Sequence, residues 1–426
     1  MGRVNKNVRF STKSFGCAYN NAETDALRQL LAAAGFRESS PATAGVLIYN
    51  TCSVKQNTQD KILSEIARCR KPLVVTGCLA QANPELVHAA NPRAIILPIE
   101  SHAQLPQAIR AAVNNKPFKA RTAKRLAGAT VNGGIARIRI AQGCAGSCTY
   151  CLTRLARGRI QSVPLTVLRK EVEDAVARGA VEIQLCSQDA GAYGLDNGSS
   201  LAELIDAVSS VPGGFKIRVG MLNPDRAPPE LWKHYNDKVF KFLHLPLQSA
   251  SDKVLRDMRR NYDYAGFKRV LAGFRKAFPE GLVATDVIAG YPTETEEDFR
   301  ETLAALEESR FAVVNVSKFS SRPGTAAALL EKLPSKTVKQ RSSEAAKLAN
   351  RVTREVLAGL VGKEFDCVVT ERGSKGGFMC RTDGYYPILL KRAKIGGFIR
   401  VRAAACKGVT VYGIVAPSAR GSPRIP

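Results

Sequence analysis

The chain has 426 residues, 45% of them hydrophobic, which is enough for about two to four domains with buried cores. No apolar run approaches the roughly 20 residues of a membrane helix, and the basic start MGRVNKNVRFSTKSFG lacks the apolar centre of a secretory signal, so the sequence reads as cytoplasmic. Lys and Arg number 63 against 37 Asp and Glu, a formal net charge of +26, which points to a polyanionic partner unless it serves solubility alone.

Residues 8–112 alternate apolar runs with helical patterns. The runs are 8–17, 45–52, 71–78 and 94–98, and the helices are predicted over 21–36, 55–70 and 84–90. Strand, helix, strand, helix is the pattern of a doubly wound α/β domain with a parallel sheet, placed at 1–115. Cys17, Cys52 and Cys78 each close one of the predicted strands. Ligands of open α/β sheets bind in the crevice at that edge, so three thiols distant in sequence are expected at one place.

Residues 113–134 carry five basic residues, no acid and a Gly pair, and the segment 116–134 reads as a basic linker. A second βα series occupies 135–358. Its strands are predicted at 135–143, 180–189, 216–222, 241–248, 282–292 and 312–321. Six units are too few for a closed eight-fold barrel, so an open six-unit (β/α) barrel is expected, with its site at the C-terminal ends of the strands. Residues 335–359 read as one long basic helix. Short alternating strands then predict a small β-barrel over 360–420, and residues 360–426 hold 12 Lys and Arg against 4 Asp and Glu. Small basic β-barrels commonly bind nucleic acid, although an ordinary basic surface gives the same count.

Eleven cysteines without an export signal point to metal or redox chemistry rather than a disulfide framework. The stretch QGCAGSCTYC at 142–151 places Cys144, Cys148 and Cys151 directly after the first strand of the second series. A structural zinc site takes four ligands, and neither a fourth Cys nor a His is close, apart from Cys186 late in the next strand. A [4Fe–4S] cluster held by three thiolates keeps one iron open for substrate or cofactor. Cys69, Cys367, Cys380 and Cys406 read as buried thiols, and Cys186 as structural.

The spacing C-x3-C-x2-C after a first barrel strand, with Tyr150 before the last cysteine, resembles the radical S-adenosylmethionine enzymes. The resemblance implies that the open iron chelates S-adenosylmethionine and that one electron releases a 5′-deoxyadenosyl radical. FGCAYNNAETD, YNTCSVKQNTQDK and VVTGCLAQ, around Cys17, Cys52 and Cys78, look like the N-terminal domain of the methylthiotransferases. That implies a second, auxiliary [4Fe–4S] cluster carrying the sulfur to be inserted. VGKEFDCVVTE, RTDGYYPILL and GGFIRVR resemble the TRAM domain, an RNA-binding module.

CTYCLTRLARGR, RVGMLNP, KFLHLPLQSASDKVLRDMRR and ATDVIAGYPTETEEDF look most like the archaeal and eukaryotic branch. That branch converts N6-threonylcarbamoyladenosine at position 37 of tRNA, beside the anticodon, to its 2-methylthio derivative, and it needs an electron donor and a sulfur source. The branch acting on isopentenyladenosine has a proline after the last cysteine where this chain reads CLTRLARG. The basic charge runs against a ribosomal-protein substrate, and a non-catalytic iron–sulfur RNA sensor is the other class. Ala250 and Thr293 stand where the family usually has Gly. SQDAGAYG, ending the second core strand, stands where relatives contact the amino group of S-adenosylmethionine, so Gln188 and Asp189 are candidates for that contact, with a plain polar loop as the alternative. His244 reads as a barrel-interior residue, and Asp286 as either structural or site-facing.

Overall fold

A computed structural model describes residues 8–53, 56–121, 130–374 and 376–416. Within the predicted linker, 122–129 lie outside the described residues. Its last residues, Val131–Asn132, turn through Gly133 into an antiparallel pairing with Ile135–Arg139. Among the described residues, no helix is long and apolar enough to cross a membrane. The chain divides into two compact units. One holds the residues up to Thr130 together with 142–145 and 151–159; the other holds the remainder.

In the first unit a fully parallel sheet runs in the order Arg37–Glu38, Arg9–Ser14, Val46–Thr51, Leu73–Gly77, Ile95–Ile96. The run Leu73–Val74–Val75 is buried throughout because alternate side chains serve opposite faces. Val74 packs with Phe10, Leu27, Leu31 and Val46 on one side. Leu73 and Val75 pack with Ile62, Ile66 and Leu79 on the other. Helices thus cover both faces, as the alternation of patterns requires. The helix Ala18–Ala33 starts directly after Cys17, and Gly35 follows its end at φ +83°.

In the second unit six parallel strands form the core: Ile135–Arg139, Glu182–Cys186, Lys216–Val219, Phe242–His244, Leu282–Ala289 and Val313–Lys318. They split into two ladders between the third and fourth strands, where a single bridge, Ile217 with Val239, takes the place of a full pairing. The sequence reading missed this break. The crossover at the same place uses the short 3₁₀ turns Pro224–Arg226 and Pro229–His234 in place of an α-helix, as its prolines require. The long helix covers Ser335–Ala358.

The last strands close a five-stranded barrel, in the order Glu364–Arg372, Phe378–Thr382, Pro387–Leu390, Thr410–Val415, Phe398–Lys407. Cys367 and Cys380 are in its core. Cys406, expected to be buried, is half-exposed: it pairs with Val411 beyond the register shift between Ala403 and Ala405, and it packs only partly against the barrel core. This barrel joins the N-terminal ends of the core strands. Thr370 O accepts from Gly134 N at 2.7 Å, Asp383 O from Lys241 N at 2.8 Å, and Gly384 O from Leu282 N at 3.0 Å.

Tyr385 fastens the junction. Its ring packs 4.9 Å from Phe240 and 4.8 Å from Phe242, and its hydroxyl donates to Glu182 Oε1 at 2.7 Å. Glu182 is fully buried, and its other partner is Gln184 Nε2 at 2.7 Å. Tyr385→Phe strips a hydrogen bond from a carboxylate that water cannot reach, so it is expected to cost about 1–3 kcal/mol. A lowered melting temperature in calorimetry checks this, and an unchanged one refutes it.

Candidate metal centres

The cysteines 17, 52 and 78 do meet at the C-terminal edge of the first unit's sheet. Their strands are neighbours, with Ser14 opposite Asn50 and Thr51 opposite Gly77, so Cys52 and Cys78 are the next residues past a registered pair. Glycine sets the final turn. Gly77 has φ +92°, and a Cβ there would lie 2.4 Å from Thr51 O and 2.3 Å from Asn50 Oδ1. Only glycine fits, and the tight turn delivers Cys78 as the first residue of the helix Cys78–Ala82. Gly16, before Cys17, is likewise at positive φ, with its Cβ position 3.0 Å from Cys52 Sγ.

A buried polar cluster lies against these thiols. Arg157 donates from Nε to Cys78 Sγ at 3.1 Å, and from its two terminal nitrogens to Glu23 at 2.7 and 2.8 Å and to Asn20 Oδ1 at 3.3 Å. Its guanidinium stacks 4.6 Å over the Tyr19 ring. The Arg157 side chain is 2% exposed and that of Glu23 0%. Burial pushes the Cys78 thiol up to about 12 against the pull of Arg157, with Cys52, Glu23 and Cys17 adding to the rise. That Cys52 and Cys17 both bear on Cys78 is a second sign of their convergence.

The other three cysteines lie on the segment after the first core strand. Gly143, at φ +85°, has its Cβ position 2.1 Å from Arg159 O, so glycine is again required before a cysteine, Cys144. Cys144 N donates to Gly158 O at 3.2 Å. Cys151 Sγ is 3.1 Å from Thr153 Oγ1 and accepts from Thr153 N at 3.4 Å. In the second unit, Cys148 Sγ accepts from Arg260 at 3.1 Å. Arg260 also bonds Asn223 Oδ1, and Asn223 in turn donates to both oxygens of Asp189, at 2.6 and 3.2 Å. Thr149, between Cys148 and Tyr150, is pinned through Oγ1 to Tyr291 Oη at 2.8 Å and Asp257 O at 2.9 Å. Tyr150 packs on the cluster of Val254, Met258 and Tyr291.

Of the two candidate ligand-binding residues, Asp189 is engaged with Asn223 and Arg226, the latter at 3.1 Å. Gln188, two residues past the second strand, is different: its Oε1 is shielded from solvent without a hydrogen-bond partner, as is Ser187 Oγ beside it. The same holds for Oε1 of Gln248, four residues past the fourth strand and bridged to Val287. Gln248 has φ +63°, a conformation unusual for a non-glycine residue. Orphaned acceptors at the C-terminal ends of core strands fit a polar ligand there. His244 Nε2 pairs with Asp286 Oδ2 at 2.8 Å, and Asn315 donates to Asp286 Oδ1 at 2.8 Å, so these two residues form one polar cluster. Ala250 and Thr293 have no positive φ, and neither is strained in place of glycine.

Among the described residues no three Cys, His, Asp or Glu side chains crowd around one metal ion. Each thiolate of a [4Fe–4S] cluster takes a different iron, so its ligands are not expected to share a single point. The donor sets, three soft thiols each with glycine-shaped approaches, fit such clusters. Sequence reading missed Arg157, Arg260 and Glu23. The legible signal was the dipeptide Gly–Cys, present at 16–17, 77–78 and 143–144.

Residues 138–306 match the radical SAM superfamily, and residues 9–97 match Uncharacterized protein family UPF0004. The chain is 37% identical over 421 residues to the probable threonylcarbamoyladenosine tRNA methylthiotransferase of Methanothermobacter thermautotrophicus, with 94% of this chain and 98% of that one covered. It is 34% identical to a protein of the same name from Archaeoglobus fulgidus, over 94% and 97%. It is 32% identical to the threonylcarbamoyladenosine tRNA methylthiotransferase of Danio rerio, over 92% and 76%. Among solved structures, the radical S-adenosylmethionine methyltransferase TsrM of Kitasatospora setae aligns with a TM-score of 0.55 at 14% identity, covering 76% of this chain and 77% of that one; the likeness is one of fold.

Proposed function

Because this chain belongs to the threonylcarbamoyladenosine tRNA methylthiotransferase family, we propose that it adds a methylthio group at C2 of N6-threonylcarbamoyladenosine at position 37 of tRNA. The observation that carries this reading is the likeness to archaeal and animal relatives over more than nine-tenths of the chain. Cys144, Cys148 and Cys151 would hold the [4Fe–4S] cluster that binds S-adenosylmethionine. Cys17, Cys52 and Cys78 would hold the auxiliary cluster. Once bound, these groups supply the one-electron chemistry, the sulfur and the methyl group.

The protein's own residues then have separable tasks. Arg260 holds the Cys148 sulfur in place, and the chain Asn223–Asp189 holds Arg260. Gln188, Ser187 and Gln248 offer their unpaired oxygens to the polar end of S-adenosylmethionine, and Tyr150 and its apolar neighbours wall the loop. The C-terminal barrel acts as a TRAM domain, its basic surface neutralising tRNA phosphates. An electron donor and a sulfur source are needed, and the reaction belongs in the cytoplasm.

The test is mass spectrometry of nucleosides from tRNA carrying threonylcarbamoyladenosine, incubated without oxygen with reconstituted protein, reductant and S-adenosylmethionine. The 2-methylthio derivative is expected. If 5′-deoxyadenosine forms while the nucleoside stays unmodified, the substrate assignment is wrong. If neither forms with both clusters present, the reading as an enzyme falls.

A further inference from the structure

Most of a buried arginine's partners can be read as structural, but one contact of Arg157 cannot. Tyr19, Asn20 and Glu23, all from the first turns of the helix Ala18–Ala33, fix the guanidinium plane: a ring beneath it and a carboxylate on both terminal nitrogens. With the plane fixed, Nε–H has one direction left, and it meets Cys78 Sγ at 3.1 Å. A lysine has no such fork and would not reproduce the geometry.

Stability does not explain the arrangement. Desolvating an ion pair this deeply costs about as much as the attraction returns, and apolar residues of the same volume often do as well. Here the pair is buried beside a proposed metal ligand. The guanidinium also reaches it from the segment that begins with Cys151, so one stretch of nine residues carries a thiol of one triad and the arginine serving the other.

We propose that Arg157 is a positioning residue of the auxiliary centre: it fixes the Cys78 sulfur and, balanced by Glu23, sets how readily that centre accepts an electron. The proposal rests on the assignment of Cys17, Cys52 and Cys78 to that centre. Hydrogen bonds to cluster sulfurs and the net charge nearby are what set such potentials. With Glu23 ionised, Arg157 gives the sulfur a hydrogen bond from a pair that is neutral as a whole. Removing the carboxylate charge leaves a bare cation beside the sulfur, which favours the reduced, more negative centre. Removing the guanidinium takes the counter-charge from the Glu23 carboxylate and loses the hydrogen bond to the sulfur, which disfavours it.

The two partners of one ion pair should therefore shift the potential in opposite directions. A purely structural pair would lower the melting temperature in both variants and leave the potential of any assembled centre unchanged. The experiment uses the full chain with Cys144→Ala, Cys148→Ala and Cys151→Ala, so that the auxiliary centre assembles alone. Iron and sulfide analysis comes first, then anaerobic redox titration followed by electron paramagnetic resonance.

Glu23→Gln is expected to raise the midpoint potential and Arg157→Gln to lower it. Either single change strands a buried charge, so Glu23→Gln with Arg157→Met is included as an uncharged pair that keeps the volume. Having lost the sulfur's hydrogen bond alone, it should titrate below the parent. Coincident potentials for the parent and this double variant overturn the role of Arg157. A parent without iron overturns instead the assignment of the three cysteines, and with it the premise.

Discussion

Cys148→Ala protein, reconstituted with iron and sulfide and mixed with reductant and S-adenosylmethionine, is expected to release no 5′-deoxyadenosine above background. The triad already has one thiolate fewer than a cluster has irons, and that open position is where S-adenosylmethionine would bind. With two thiolates left, no set of protein donors in this segment replaces the third. Thr149 is occupied with Tyr291 and Asp257 O, and Tyr150 packs against apolar side chains.

The same change leaves Arg260 without its sulfur acceptor, though it keeps its bond to Asn223. Fold should therefore survive while function does not. Iron content should fall by about half, since each cluster contributes four irons. Circular dichroism and melting temperature close to the parent would show that the loss is chemical. Continued turnover to 5′-deoxyadenosine would sink the assignment of Cys148.

The order of layers and the strand ends were legible because each rests on a local pattern. The run around Leu73–Gly77 is apolar at every position, as a strand covered on both faces must be, and Cys78 follows it without a gap. Three cysteines after adjacent parallel strands converge by topology alone. What stayed hidden depends on pairs far apart in the sequence. Nothing local in LTRLARGR says that Arg157 will meet Glu23, 134 positions earlier, inside a protein core. The same holds for Arg260 and Cys148, 112 positions apart.

The absence of an α-helix from the crossover before the fourth strand was visible in principle, since NPDRAPPE carries three prolines. Cys406 was misplaced for a different reason: free cysteines are usually buried, but this one stands next to the last residue of its strand, where the barrel covers it only in part.

Cys78→Ala is expected to do the reverse of Cys148→Ala. It should still form 5′-deoxyadenosine, while the 2-methylthio nucleoside disappears from the product. The separation follows from the two triads being different residues on different segments, with Cys78 assigned by the proposal to the sulfur-carrying centre only. Cys78 is buried, and its sulfur accepts a hydrogen bond from Arg157. Removing it leaves two donors, one of them the exposed Cys17.

Arg157 keeps its bidentate partner Glu23 in this variant, so no buried charge is stranded and the unit should fold. A control separates loss of this thiol from loss of any buried cysteine. Cys69 is also buried in the first unit, but its sulfur donates to Lys71 O at 3.6 Å, and it is not one of the triad. Cys69→Ala should keep both the full iron content and the methylthio product. If Cys78→Ala still delivered the methylthio nucleoside at the parent's level, the sulfur would have to come from elsewhere, and the auxiliary role of Cys17, Cys52 and Cys78 would be lost together with that of Arg157.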